Sequence, residues 1–177
     1  MNVPFDRSYW VVPGIFLAGP YPGAIRLDEA LGRLEGLLEA GIRLVLDLTL
    51  NYEAKWYGLK GYEETIRLLA EEKGLSIGCL QVPIPETGVP TMTKMAVILD
   101  EIDGAIDQGE RVYVHCLGGR GRTGTVVGCW LMRHERATAG DVISVIQDLR
   151  KNDPTWFFPS PENETQRSMV KSWKAGE

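Results

Sequence analysis

The stretch His115-Cys116-Leu117-Gly118-Gly119-Arg120-Gly121-Arg122-Thr123-Gly124 sets a cysteine and an arginine apart by five residues, three of them glycine. Gly118, Gly119 and Gly121 free the backbone to turn the amides from Leu117 to Arg122 into one concavity. Such an anion nest at a helix N-terminus fits a phosphate. Arg122 adds a planar, permanently charged fork able to hold two oxygens of that anion. The same N–H dipoles and guanidinium favour thiolate over thiol at Cys116, which makes the sulfur a nucleophile. His115 is expected to order the loop from behind by hydrogen bonding, and Thr123 to donate to the sulfur as it departs.

For that chemistry a strand must deliver the cysteine and a helix must begin beside the arginine. Arg111 to His115 reads as a short strand and Thr123 to Arg133 as an apolar helix. Upstream, Tyr9 to Leu17, broken by Pro13-Gly14, predicts an edge strand and a turn. Leu27, Ala30, Leu31, Leu34, Leu37 and Leu38 recur at helical spacing before Gly41, and the apolar run Ile42 to Leu48 predicts a buried parallel strand. Asn51 to Gly61 reads as a loop, Gly61 to Lys73 as a helix and Leu75 to Ile84 as a strand. After the irregular Pro85 to Pro90, Thr91 or Thr93 caps a helix reaching Gly109. Two more helices follow over 139–151 and 161–174, the second with Ser160, Pro161 and Glu164 suited to N-cap, N1 and N4. This alternation predicts an α/β three-layer sandwich: a mainly parallel sheet of four to five strands flanked by helices, forming one domain over residues 1–177. Ligands then belong at the carboxyl ends of the strands.

Bulk properties narrow the function classes. A net charge of −5 argues against a general nucleic-acid or anionic-membrane surface, and no apolar run is long enough to span a membrane. Cys79, Cys116 and Cys129 are odd in number and widely spaced, as expected in a reducing compartment, and no secretory signal is visible, so a cytoplasmic location is expected. With only two histidines and no zinc-ligand spacing, no metal or other cofactor is expected.

The ten-residue stretch resembles the Cys-x5-Arg-Ser/Thr signature of the cysteine-dependent protein tyrosine phosphatase superfamily, in its extended His-Cys-x-x-Gly-x-Gly-Arg-Thr-Gly form. The whole chain is similar to the small bacterial and archaeal dual-specificity phosphatases. That resemblance implies hydrolysis of phosphate monoesters through a phosphocysteine on Cys116. The substrate would be a phosphorylated protein or small molecule, and phosphate, sulfate or vanadate would be expected in the site. It also implies a leaving-group acid on the loop before the helix that precedes the cysteine strand. The family usually carries Ile-Pro-Asp there; this chain has Ile84-Pro85-Glu86, one methylene longer, so Glu86 is the candidate acid.

Further residues have weaker assignments. The resemblance gives Arg120 a possible extra-phosphate contact, as in phosphoinositide phosphatases, although the partner basic position is Leu117 here. It gives Glu162 or Gln166 a role in placing the hydrolytic water. Asp47, ending a buried strand, reads as a structural hydrogen-bonding group near the site. Tyr52, Trp56 and Tyr57 could wall a phenyl phosphate, and Cys79 or Cys129 could trap an oxidised Cys116. A non-catalytic phospho-binding module and a sulfur- or arsenate-handling enzyme stay open as alternatives.

Overall fold

The computed structural model describes residues 2–177. Five strands form one sheet: β1 (Tyr9–Val12), β2 (Phe16–Gly19), β3 (Ile42–Asp47), β4 (Gly78–Gln81) and β5 (Arg111–His115), in the order β1-β2-β5-β3-β4. β1 pairs antiparallel to β2, and the pairings β2–β5, β5–β3 and β3–β4 are parallel. The sequence's single interrupted strand thus resolves into two. Pro13-Gly14 makes the turn between them, so β1 lies at the edge and β2 lies inside the sheet.

Side chains alternate across the sheet as a period of two requires. Phe16, Ala18, Leu46, Val112 and Val114 enter one core, packed by α4 (Met92–Asp107), α5 (Gly121–Arg133), α6 (Val142–Leu149) and α7 (Glu164–Ser172). Leu17, Val45 and Tyr113 enter the other, packed by α1 (Leu27–Glu39) and α3 (Glu63–Glu72). These two cores make the three layers. Each fully buried aliphatic or aromatic side chain contributes roughly 1.5–3 kcal/mol relative to exposure.

Three local expectations are corrected. The loop 51–61 contains a one-turn helix, α2 (Glu53–Trp56). α5 begins at Gly121, two residues before the apolar run that announces it, because the glycine-rich loop is already winding into the helix. The last helix is capped not by Ser160 but by Asn163, whose side chain accepts from the Gln166 N–H, so Glu164 is the first helical residue. Thr91 caps α4 as expected, accepting from the Lys94 N–H.

Register fixes where the site lies. Gly19, Asp47 and Gln81 are aligned with His115 or with one another across the sheet, so all four parallel strands end at one level. The loops leaving that edge, including the Cys116 loop and the Glu86 loop, therefore converge there.

Candidate active site

β5 delivers Cys116 to the sheet edge, where its side chain is buried in the mouth of a cavity of about 310 Å³. Leu117, Gly118, Arg120, Gly121 and Arg122 line the same cavity. Of the three loop glycines only Gly119 is left-handed (φ 69°), and a Cβ there would lie 2.4 Å from the backbone of Gly19 and Pro20. Gly121 has no such backbone constraint: a Cβ there would meet Glu162 Oε2 at 2.5 Å, so the glutamate side chain would have to shift. No side chain caps the N-terminus of α5, so its first amides are left to an anion in the bowl.

Arg122 is held rigidly. Its Nη1 and Nη2 donate to Glu53 Oε1 and Oε2 at 2.7 and 2.6 Å, and Nη1 also donates to Ile84 O at 3.0 Å. The Leu50 N–H donates to Glu53 Oε1 at 2.9 Å. Burial pushes the Glu53 carboxyl up, but the Arg122 contact and the Leu50 amide outweigh it and hold the group below its ordinary range. Likewise burial pulls Arg122 down and Glu53 more than restores it. The protein engages only the Nη atoms of the guanidinium, which leaves its Nε edge without a protein partner among the described residues.

Behind the loop, His115 sits fully buried among Tyr21, Tyr62 and Tyr113. Tyr62 Oη is 2.7 Å from His115 Nε2, and burial pushes the Tyr62 hydroxyl far up, so it keeps its proton and donates. That assigns the other proton to Nδ1, which donates to Cys116 O at 3.3 Å with Asp47 Oδ1 3.7 Å away. Asp47 itself accepts from the Thr49 N–H and hydroxyl at 2.7 Å, a structural arrangement. Burial lowers the His115 pKa, so the ring is neutral at pH 7. Its unfolded counterpart takes up a proton near the ordinary 6.5, which the folded state resists. Stability should therefore fall between pH 7.5 and 5.5, read as urea midpoints, and the fall should flatten in His115→Gln. A midpoint that rises on acidification contradicts this burial argument.

Glu86 lines the cavity with Cys116 and Arg122, on a loop clamped from the far side by α7. Asn163 Nδ2 donates to Thr87 O at 2.8 Å and Gln166 Nε2 to Gly88 O at 3.2 Å. Gln166 Oε1 accepts from the Glu162 N–H, so both ends of its amide hold backbone. Thr123 Oγ1 is buried and makes no hydrogen bond, including none to sulfur.

With this geometry in place, a family model described as "Polymorphic toxin system, DSP-PTPase phosphatase" matches residues 24–136, more than half of the chain. The chain belongs to the dual-specificity protein tyrosine phosphatase family. Residues of an uncharacterized protein of Methanocaldococcus jannaschii are 44% identical over 59 positions, 33% of this chain and 40% of that protein. Human dual specificity protein phosphatase CDC14A is 29% identical over 176 positions, covering 95% of this chain and 26% of CDC14A. The match therefore spans less than half the length of either relative. Among solved structures, PTPMT1 in complex with PI(5)P shares the fold, with a TM-score of 0.69 at 21% identity over 95% of this chain and 94% of that one.

In this DSP-PTPase family member, Tyr57 reaches the cavity, whereas Tyr52 and Trp56 do not line it and are exposed. Neither Cys79 nor Cys129 lines it, and burial pushes both thiols up, Cys79 to about 11. Glu162 lines it and lies 3.6 Å from Arg120 Nη2. Sequence reasoning missed Glu53 and Arg7. Glu53 stands in a stretch without apolar period, and its one signal is that a buried arginine demands a carboxylate. Arg7 lines the cavity and its Nη2 donates to Gly118 O at 2.7 Å, a contact that no local pattern announces. No helix is long and apolar enough to cross a membrane among the described residues.

Proposed function

We propose that the chain, acting as one catalytic domain, hydrolyses phosphate monoesters through a phosphocysteine on Cys116. The observation that carries this is the convergence of Cys116, Arg122, the uncapped N-terminus of α5 and Glu86 on a single cavity. In the first step the Cys116 thiolate attacks phosphorus in line. The S–P bond forms as the P–O bond to the leaving group breaks, and protonated Glu86 gives that oxygen its proton. Arg122 and the loop amides hold the equatorial oxygens, where charge develops. In the second step water attacks phosphorus, its proton goes to the Glu86 carboxylate, and the S–P bond returns its electron pair to sulfur. The Thr123 hydroxyl, otherwise without a partner, would donate to the departing thiolate. Neutral His115 cannot offset the sulfur's charge, so that task falls to Arg122 and the amides.

Glu86→Gln should lower kcat by roughly 10²–10⁴-fold on alkyl phosphates. It should lower it far less on p-nitrophenyl phosphate, whose leaving group needs little protonation. Equal losses on both remove the acid role. Assayed with EDTA and with vanadate, the wild-type protein should ignore the first and be blocked by the second. Absence of p-nitrophenyl phosphate turnover would favour a phospho-binding module instead. The neighbouring PTPMT1 structure holds PI(5)P, which supports keeping phosphoinositide headgroups beside phosphoproteins as candidate substrates.

A further inference from the structure

A second cavity, of about 510 Å³, shares no lining residue with the bowl. α2 separates them: Glu53 turns to Arg122 and Ala54 to this cavity. Asp47 at the end of β3, Gln81 at the end of β4, Tyr21 after β2, and Tyr62, Glu63 and Glu64 at the start of α3 line it. No lysine, arginine or histidine lines it, so three carboxylates face no cation across the space. The Arg67 guanidinium, on a half-exposed side chain, lies 3.8 Å from Glu63 Oε2, outside hydrogen-bonding distance.

Glu63 and Glu64 open α3, where the helix dipole by itself favours acidic residues. The dipole does not account for two acceptors on other elements. Asp47 is 4% exposed and Tyr21 6%. Asp47 Oδ1 accepts from the Thr49 N–H and hydroxyl, whereas Oδ2 and the Tyr21 hydroxyl make no hydrogen bond among the described residues. Neither atom belongs to the unpaired polar atoms that are sealed from solvent, so each keeps an accessible face. Burial, and then the Asp47 and Glu63 carboxylates, push the Tyr21 hydroxyl up, which places that hydroxyl beside the same two acidic groups. A nearly buried carboxylate oxygen without a donor is costly. The Tyr21 and Tyr62 rings, 5.2 Å apart and edge to face, add aromatic surface of the kind that cations favour. No group of three or more His, Cys, Asp or Glu side chains among the described residues is close enough to hold a metal ion, a spread that suits a larger organic cation.

We propose that this cavity binds an organic cation, an ammonium or guanidinium group whose N–H donors reach Asp47 Oδ2 and the Tyr21 oxygen while Glu63 and Glu64 supply balancing charge. The volume lies within the roughly 300–1,000 Å³ of small-molecule sites. The site is separate from the bowl and does not rest on the phosphate-monoester reading. It backs on to the nucleophile loop all the same, since Asp47 Oδ1 lies 3.7 Å from His115 Nδ1 and Tyr62 donates to His115 Nε2.

The test titrates the whole chain calorimetrically with agmatine, which carries both an ammonium and a guanidinium group, at fixed ionic strength. Agmatine should bind once per chain with a Kd of ~1 mM or tighter. A blocked Gly-Arg-Gly tripeptide distinguishes the sources: binding of both probes assigns the site to a basic side chain of a polypeptide, and binding of agmatine alone to a free small cation. Tyr21→Phe should weaken agmatine by roughly three- to tenfold at an unchanged thermal midpoint, because the hydroxyl has no protein partner to lose. Asp47→Asn should weaken it by roughly tenfold or more. The double variant Glu63→Gln/Glu64→Gln should weaken it too, and it leaves the buried Asp47 contacts intact, so a folding defect in Asp47→Asn does not mask the result. Glu35→Gln makes a single charge change on the exposed side of α1 and should leave binding as it is. Inorganic phosphate should not displace agmatine, and Cys116→Ser should bind it as the wild type does. Binding of neither probe, displacement by phosphate, or equal weakening in Glu35→Gln overturns the site. Absent p-nitrophenyl phosphate hydrolysis with agmatine binding intact would count against the phosphatase reading alone.

Discussion

Cys116→Ser lowers kcat on p-nitrophenyl phosphate by on the order of 10⁶-fold, the scale seen when a covalent enzyme loses its nucleophile. The substitution exchanges sulfur for oxygen in a side chain that is almost wholly buried, so the loop keeps its shape. A serine hydroxyl is neutral at the pH where a thiolate is charged, and no base stands behind it, because His115 Nε2 already accepts from Tyr62 and Nδ1 faces Cys116 O. Chemistry should therefore stop while recognition survives. Inorganic phosphate should bind the variant within a few-fold of the wild type, or more tightly, since the competing negative charge is gone. Retained turnover would end the covalent mechanism, and lost phosphate binding would show that the bowl itself had collapsed.

Glu53→Gln should be the most damaging change at a position with no chemistry of its own. Glu53 and Arg122 are both almost fully buried, and the two parallel hydrogen bonds between them become at best one. Removing one charge of a buried pair costs about 3–5 kcal/mol because the other is left uncompensated. The lower end is expected here, since the amide oxygen can still accept. The fork also loses its fixed plane, and a misplacement of about 1 Å can cost on the order of a hundredfold in rate. The measurements are the thermal midpoint, and kcat/KM taken well below it. A variant with wild-type midpoint and rate would make the pair an ornament of the fold. Weakened phosphate affinity at a temperature where the variant is fully folded separates positioning from general instability.

The parts of this molecule that were legible in the sequence are those encoded by neighbours. The bowl, β3, β5 and the helices α1, α4 and α5 announce themselves by glycine placement and by apolar periods. Glu86 is singled out by its position before α4 and β5, and it lines the cavity, while its role as acid stays a proposal. What escaped was long-range pairing. Nothing near Glu53 says that its carboxylate will meet a guanidinium 69 positions away, and nothing near Arg7 says that it will reach a carbonyl 111 positions away. The start of the last helix is obscured for a smaller reason: Ser160-Pro161 has the composition of a helix start. Instead Ser160 is drawn off to donate to Arg120 O, and Asn163 takes its place as the cap.

Those same distances along the chain govern when the protein becomes competent. The nest's backbone rests on Gly19 and Pro20, its fork on Glu53 and Glu86 on a loop held by Asn163 and Gln166, so no contiguous fragment much shorter than residues 19–166 contains the complete arrangement. Closing such long loops is entropically costly until the sheet between them exists, which ties assembly of the centre to the cooperative transition of the whole polypeptide. A nascent or partly unravelled chain then carries Cys116 without its arginine and its loop amides, and the proposed hydrolytic activity should arrive all at once with the native topology.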